Sequence, residues 1–194
     1  MNTLQVILNI VNNIFIKELF YIVIALVLYK SIFKRDDIYT KSINFLRWII
    51  VCYSVMGLLS YLLLLIFPNE EYALINRATG PYWWSYLLMS NGHLLIPLLL
   101  LNKRLGRSVY FLLFLGIIMN MGRLFERFVI LTTSLHRDYL PQGWEITENS
   151  LIGMFLIIAG NFIFSLFTGL LVGAFIVLVF HVMHLYKNRK PTVI

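Results

Sequence analysis

Arg123, Glu126 and Arg127 stand together inside an otherwise apolar run, and Ser134, His136, Arg137 and Asp138 close the same stretch as a polar cluster. Guanidinium, carboxylate and imidazole groups at such spacing are the ones that move protons or grip a polar headgroup. At about 100° per residue, Asn120, Arg123, Arg127 and Ser134 fall within about 60° of one another on a helix, with Glu126 beside them. Glu126 offsets Arg123 three residues earlier, which leaves one arginine needing an acceptor elsewhere: another helix, a partner subunit, a lipid phosphate or a ligand oxygen. A charge at the centre of a bilayer helix costs at least about 2.5–3.5 kcal/mol, so the stripe is expected to face protein or water. Two readings stay open. The stripe either glues helices together and snorkels outward, or forms a polar track for protons or a quinone headgroup. His136 and Asp138 divide in the same way. A neutral imidazole beside a carboxylate can take a proton from a hydroquinone and release it to water, and a pKa near about 6.5 suits that task. The same pair can instead cap or fix a loop.

The elements that must position these groups follow from composition. The chain has 194 residues, 60% hydrophobic and 13% charged, with a mean hydropathy of +0.81. Soluble domains carry about 25% charged residues, so half that fraction together with several long apolar runs implies an integral membrane protein. Spanning segments are helices or closed barrels. The runs are continuous rather than alternating, so the expected fold is all-α: a polytopic membrane helical bundle forming one domain over 1–194. Five helices are expected, at about 4–32, 43–67, 82–101, 109–135 and 150–186. Lys17 and Glu18 interrupt the start of the first. The last would reach about 55 Å against a hydrocarbon core of about 30 Å, and is expected to tilt or project.

Charge sets the orientation. Lys30, Lys34, Arg35, Lys41 and Arg47 surround the first connection, Lys103, Arg104 and Arg107 the third, and Lys187, Arg189 and Lys190 the tail. The other two loops carry Arg77 and Arg137 against Glu70, Glu71, Asp138, Glu145 and Glu148. Basic loops favour the cytoplasm, which places the N-terminus outside, the C-terminus inside and the His136–Asp138 cluster on the outer face. The net charge of +7 is thus topology rather than affinity for nucleic acid.

The start of the chain has no basic segment or small-residue cleavage site, so no cleavable signal is expected. Cys52 is the only cysteine and by itself offers no disulfide or thiolate metal site. Tyr82, Trp83, Trp84 and Trp144 fit an interfacial aromatic belt. His93 falls inside the third helix, with His181 and His184 near the inner end of the fifth. Their depths match poorly for haem ligation, and hydrogen-bonded or interfacial roles are expected. Gly169 and Gly173 make a small-xxx-small face for close helix packing, inside the chain or against a partner.

The segments "NRATGPYWWSYLLM" (Asn76–Met89) and "MNMGRLFERFVILTTSLHRDYLPQGW" (Met119–Trp144), with "RDDIYT" (Arg35–Thr40), resemble the NrfD/PsrC-type membrane subunits. Within these, the resemblance is to the C-terminal half of the C subunit of bacterial alternative complex III, a quinol:electron acceptor oxidoreductase. It covers roughly 35–144, and "FERFVI…TSLHRDYLP" is its specific part. It implies a multi-pass subunit of the bacterial inner (cytoplasmic) membrane that binds no redox cofactor or metal of its own. Menaquinol or ubiquinol would be the substrate near the outer face. Electrons would pass to iron–sulfur clusters in a docked subunit and on to haem c in a cytochrome c subunit. It also places Arg123, Glu126, Arg127, His136 and Asp138 on the motif as quinol-site or proton-path candidates. Family members usually carry about twice as many helices in two bundles, so the other half of the membrane subunit is an implied partner. A purely structural membrane anchor, without redox or proton chemistry, is the alternative.

Overall fold

The structure is a computed structural model that describes residues 3–67, 79, 83–122 and 148–189. Among the described residues it is helical, with no strand. Helix α1 (Thr3–Val11) widens into a π turn at Asn12–Ile16, where Lys17 N–H donates to Asn12 O across 2.8 Å. The chain then breaks at Lys17–Glu18, and α2 follows at Leu19–Phe33. The segments on the two sides of the break are bent by 48°. One continuous helix over 4–32 is therefore not what forms: the two adjacent charges sit at a break rather than inside the helix.

Lys34 takes a left-handed conformation (φ 52°), caps α2 and turns the chain back into α3 (Asp36–Ile66). This helix starts earlier than 43 because Asp36 and Asp37 occupy its first turn, where carboxylates favour the positive helix end. Helix α4 (Trp83–Leu94) tightens into a 3₁₀ segment at Ile96–Leu101 that begins around Pro97, a residue with no N–H to donate. The elbow that follows holds the short helix α5 (Lys103–Gly106) and leads into α6 (Val109–Ile118). Asn102 caps α5 by accepting from Arg104 N–H at 2.9 Å. Helix α6 is interrupted by a turn at Met119–Asn120, after which Met121 and Gly122 are helical again; the rest of the helix expected over 109–135, from 123 on, lies outside the described residues. The last helix, α7 (Glu148–Arg189), has 42 residues, about 63 Å at 1.5 Å per residue.

Helix α2 is the centre of the packing, with Leu19, Ile22, Val23 and Leu26 fully buried. It lies along α7 in parallel, because Gly169 faces Glu18 and Tyr21 while Gly173 faces Ile22 and Ala25. Against α6 it runs antiparallel, with Gly116 on the Phe20 backbone and Asn120 on Ile16. Helix α3 runs opposite to α4 and its 3₁₀ extension, since Gly57 meets Leu94 while Arg47 meets Gly106. It also runs opposite to α7, since Asp37 meets His184 while Phe45 meets Phe180. The segments α2, α3, α4, α6 and α7 thus alternate in direction.

Outside a core that also includes Ile38, Leu46, Ile50, Leu100, Leu112 and Leu115, large apolar side chains face outward. Among the described residues two helices, 36–66 and 159–187, are long and apolar enough to cross a membrane. The bent pair of α1 and α2 makes a third if counted as one span. Such an apolar exterior suits lipid rather than water.

The α2–α7 contact depends on absent side chains. A Cβ at Gly173 would lie 2.5 Å from Ala25 Cβ, and one at Gly169 would overlap Tyr21 Cβ. Gly160 has nothing within 4 Å of the same position. Gly173→Leu is expected to lower the thermal midpoint in detergent, at a cost of about 1–3 kcal/mol for overpacking. Gly160→Ala is expected to leave the midpoint unchanged or slightly higher.

Candidate functional site

The polar groups inside the bundle gather where the first helix breaks. A π turn widens the helix and loosens its ladder, and such turns often mark functional positions. Asn12 opens that turn, and Ile16 closes it with its carbonyl next to the break. The Asn120 side-chain amide donates to Ile16 O at 2.9 Å and to Gly116 O at 2.8 Å. Gly116 makes this reach possible, because a Cβ there would stand 2.9 Å from the Phe20 nitrogen.

A second connection runs through α3 and α4. The Tyr53 hydroxyl lies 2.8 Å from His93 Nε2 and 3.3 Å from Asn12 Oδ1. His93 Nδ1 is 3.2 Å from Met119 O, the carbonyl just before Asn120. The Tyr53 and His93 rings meet edge to face, 5.3 Å between centroids, so packing holds both in place. Asn12, Tyr53, His93, Met119, Asn120 and Ile16 therefore form a ring of hydrogen bonds closed through the backbone, at Met119–Asn120 and where Lys17 N–H beside Ile16 donates to Asn12 O, and it ties α1, α3, α4 and the end of α6 together.

The ring has two complete proton arrangements. Met119 O can only accept, so His93 Nδ1 donates to it. With neutral His93, Nε2 accepts the Tyr53 proton, and Asn12 must turn its amide NH₂ toward the Tyr53 oxygen. With cationic His93, Nε2–H donates to Tyr53, and Tyr53 donates to Asn12 Oδ1. The two arrangements differ only in how the Asn12–Tyr53–His93 hydrogen bonds point, and Asn120 Oδ1 stays buried without a hydrogen-bond partner among the described residues. Beside the ring lies Glu18, 3% exposed, with Lys17 Nζ 3.8 Å from its carboxylate.

Arg123, Glu126, Arg127, His136 and Asp138, with Ser134, lie outside the described residues. Asn120, the first member of their stripe, is described and faces protein at the Ile16 break. Gly169 and Gly173 lie against α2. His93 is hydrogen-bonded within the ring, and His184 meets Asp37 at 3.3 Å. Among the described residues no three His, Cys, Asp or Glu side chains come together as a metal-binding group.

Sequence reasoning missed Asn12 and Tyr53. The signal for the first was the pair Asn12–Asn13 interrupting an apolar run. Tyr53 carries no such signal, since a tyrosine in an apolar helix is ordinary. A further buried cation, Arg47, is 7% exposed. Its stem lies over Gly106, and its guanidinium stands 5.2 Å from the Trp48 ring, a cation–π contact.

The ring makes a spectroscopic prediction. Neutral His93 is expected as the Nδ1–H tautomer, read by ¹⁵N NMR of selectively labelled protein in bilayers; an Nε2–H tautomer would mean that the Met119 contact does not hold. Tyr53→Phe removes the hydroxyl between Asn12 and His93 and is expected to cost about 1–3 kcal/mol of stability in denaturation.

No family model matches the chain, and no curated protein matches it either.

Proposed function

We propose that this chain is an integral membrane subunit of a quinol-oxidising respiratory complex in the bacterial inner membrane. In this reading it provides a proton path beside the quinol site. The observation that carries the proposal is the hydrogen-bonded ring of Asn12, Tyr53, His93 and Asn120, which lies just before Arg123, Glu126 and Arg127 in the sequence. Polar groups inside an apolar bundle are expensive, and a connected set with two proton arrangements suits proton transfer.

The proposed topology has five crossings, with the N-terminus outside and the C-terminus inside. The alternating directions of α2, α3, α4, α6 and α7 support it. So does the parallel α2–α7 contact, which requires an odd number of crossings between those two helices. Helix α4 with its 3₁₀ extension covers about 30 Å at 1.5 and 2.0 Å per residue, enough for one crossing. The stripe then approaches the outer face. Arg123 and Arg127 follow Asn120 in the sequence, and Glu18 supplies a carboxylate on the element that Asn120 grips. In this reading Glu18 and Glu126 together neutralise the two arginines.

Oxidation of a quinol releases two electrons and two protons. The electrons leave through iron–sulfur clusters and haem c in partner subunits, and a separate subunit supplies the other half of the helices. The protons leave through His136 and Asp138 to the outside. This chain binds neither metal nor haem, and menaquinol or ubiquinol is the substrate of the assembly.

The second reading, a structural anchor, is favoured by the same ring, because its hydrogen bonds also brace a broken helix. The two readings separate in one experiment. The tagged protein is extracted gently from its native membrane, its partners are identified, and quinol oxidation is assayed. His93→Ala, Glu126→Gln and His136→Ala are expected to assemble with iron–sulfur and haem partners yet turn over at least about tenfold more slowly, the lower part of the range for lost acid–base catalysis. Variants that fail to assemble favour the anchor, and assembled variants with normal turnover remove these residues from the proton path. A lone, colourless protein from cells that make the partners sinks the complex itself.

Topology is tested separately. With Cys52 replaced by Ser, a cysteine at Lys34 or Arg107 is expected to resist an impermeant maleimide in intact cells and to react after lysis. Labelling before lysis would reverse the orientation.

A further inference from the structure

Two grooves open on the apolar exterior. The larger, about 1030 Å³ beside Phe45, Leu171 and Phe180, has no charged group on its walls. The other, about 640 Å³ between α2 and α7, differs chemically. Ala25 and Ala174 line it near the Gly173 contact, where the two helices touch. Leu28, Ile32 and Leu178 form its walls farther along, and Arg35 and His181 also line it. Ala25 to Phe33 covers about 12 Å of rise along α2, with Arg35 in the turn beyond, so the cavity is an apolar slot that ends on a cation.

Among the described residues no carboxylate pairs with this cation. The two carboxylates of the α2–α3 turn are engaged elsewhere: Asp36 meets Lys30 at 3.1 Å and Asp37 meets His184 at 3.3 Å. Among the described residues the Arg35 guanidinium makes no ion pair or hydrogen bond, and its neighbour Lys34 adds a second positive charge without an ion pair. A basic site at the end of an interhelical slot, on the side where basic loops cluster, fits an anionic headgroup with its acyl chain attached. A planar guanidinium is suited to hold a phosphate by two parallel hydrogen bonds.

We infer that the α2–α7 groove binds one anionic phospholipid, with an acyl chain in the slot and the phosphate on Arg35, assisted by His181. The inference rests on the membrane setting and not on quinol chemistry. The larger groove has no charge to select a headgroup and is assigned no occupant.

The test uses the full chain in detergent, titrated with phosphatidylglycerol or phosphatidylcholine and read by native mass spectrometry. One phosphatidylglycerol is expected to be retained preferentially. Arg35→Gln is expected to weaken that retention about tenfold, the scale of one lost charge-assisted contact. Ala174→Phe is expected to weaken it by blocking the slot, with Ala174→Leu as the milder variant if the larger one does not fold. Lys103→Gln, a basic residue that does not line the groove, is expected to leave retention unchanged. Equal retention of the two lipids, or an unaffected Arg35→Gln, overturns the inference. Competition by inorganic phosphate as strong as by the lipid removes the acyl chain from it. A dimer that both groove variants abolish shows that the slot holds a helix of a second copy, which also overturns it.

Discussion

Everything near the centre of this molecule depends on how the backbone is satisfied where the first helix breaks. In an apolar medium an unbonded peptide group costs several kcal/mol, and no water stands ready to repair a broken helix. The Lys17–Glu18 break exposes such groups, and Asn120 answers by donating to Ile16 O at 2.9 Å. That bond requires α6 to approach the α2 backbone, which Gly116 permits. Once α6 is placed, Met119 O stands where His93 can donate to it, and Tyr53 closes the ring to Asn12. A local defect in one helix thereby sets the relative positions of four elements.

The same molecule uses glycine to a second end. Gly169 and Gly173 do not bend α7; they let it lie on α2 at backbone distance. Without a hydrophobic drive between helices in lipid, close van der Waals contact is the main attraction left. The glycines provide it over one turn of α7, and the groove lined by Leu28, Ile32 and Leu178 opens beyond them.

Charges inside the bundle are placed where another element covers them. Glu18 sits at the break with Lys17 beside it. Arg47 is folded under the α5 elbow, its stem against Gly106 and its guanidinium toward Trp48. Glu18 sits at a backbone break, and Arg47, inside α3, packs beneath one.

Much was legible in the sequence because the solvent dictates it. The low charge and long apolar runs determined a helical protein with a lipid-facing exterior, since a chain cannot bury that much apolar surface within itself. The Lys17–Glu18 pair marked a weak point, and the Gly169–Gly173 spacing marked a packing face, because both are properties of one helix. The polar ring was not legible. Asn12, Tyr53, His93 and Asn120 are separated by dozens of residues, and each alone is an ordinary residue in an apolar run. Only the tertiary structure decided that the first helix breaks at a π turn, that α6 is interrupted at Met119–Asn120, and that these two interruptions meet. Hydrogen bonds between distant segments depend on where helices end and how closely they approach. Periodicity along a single helix records neither.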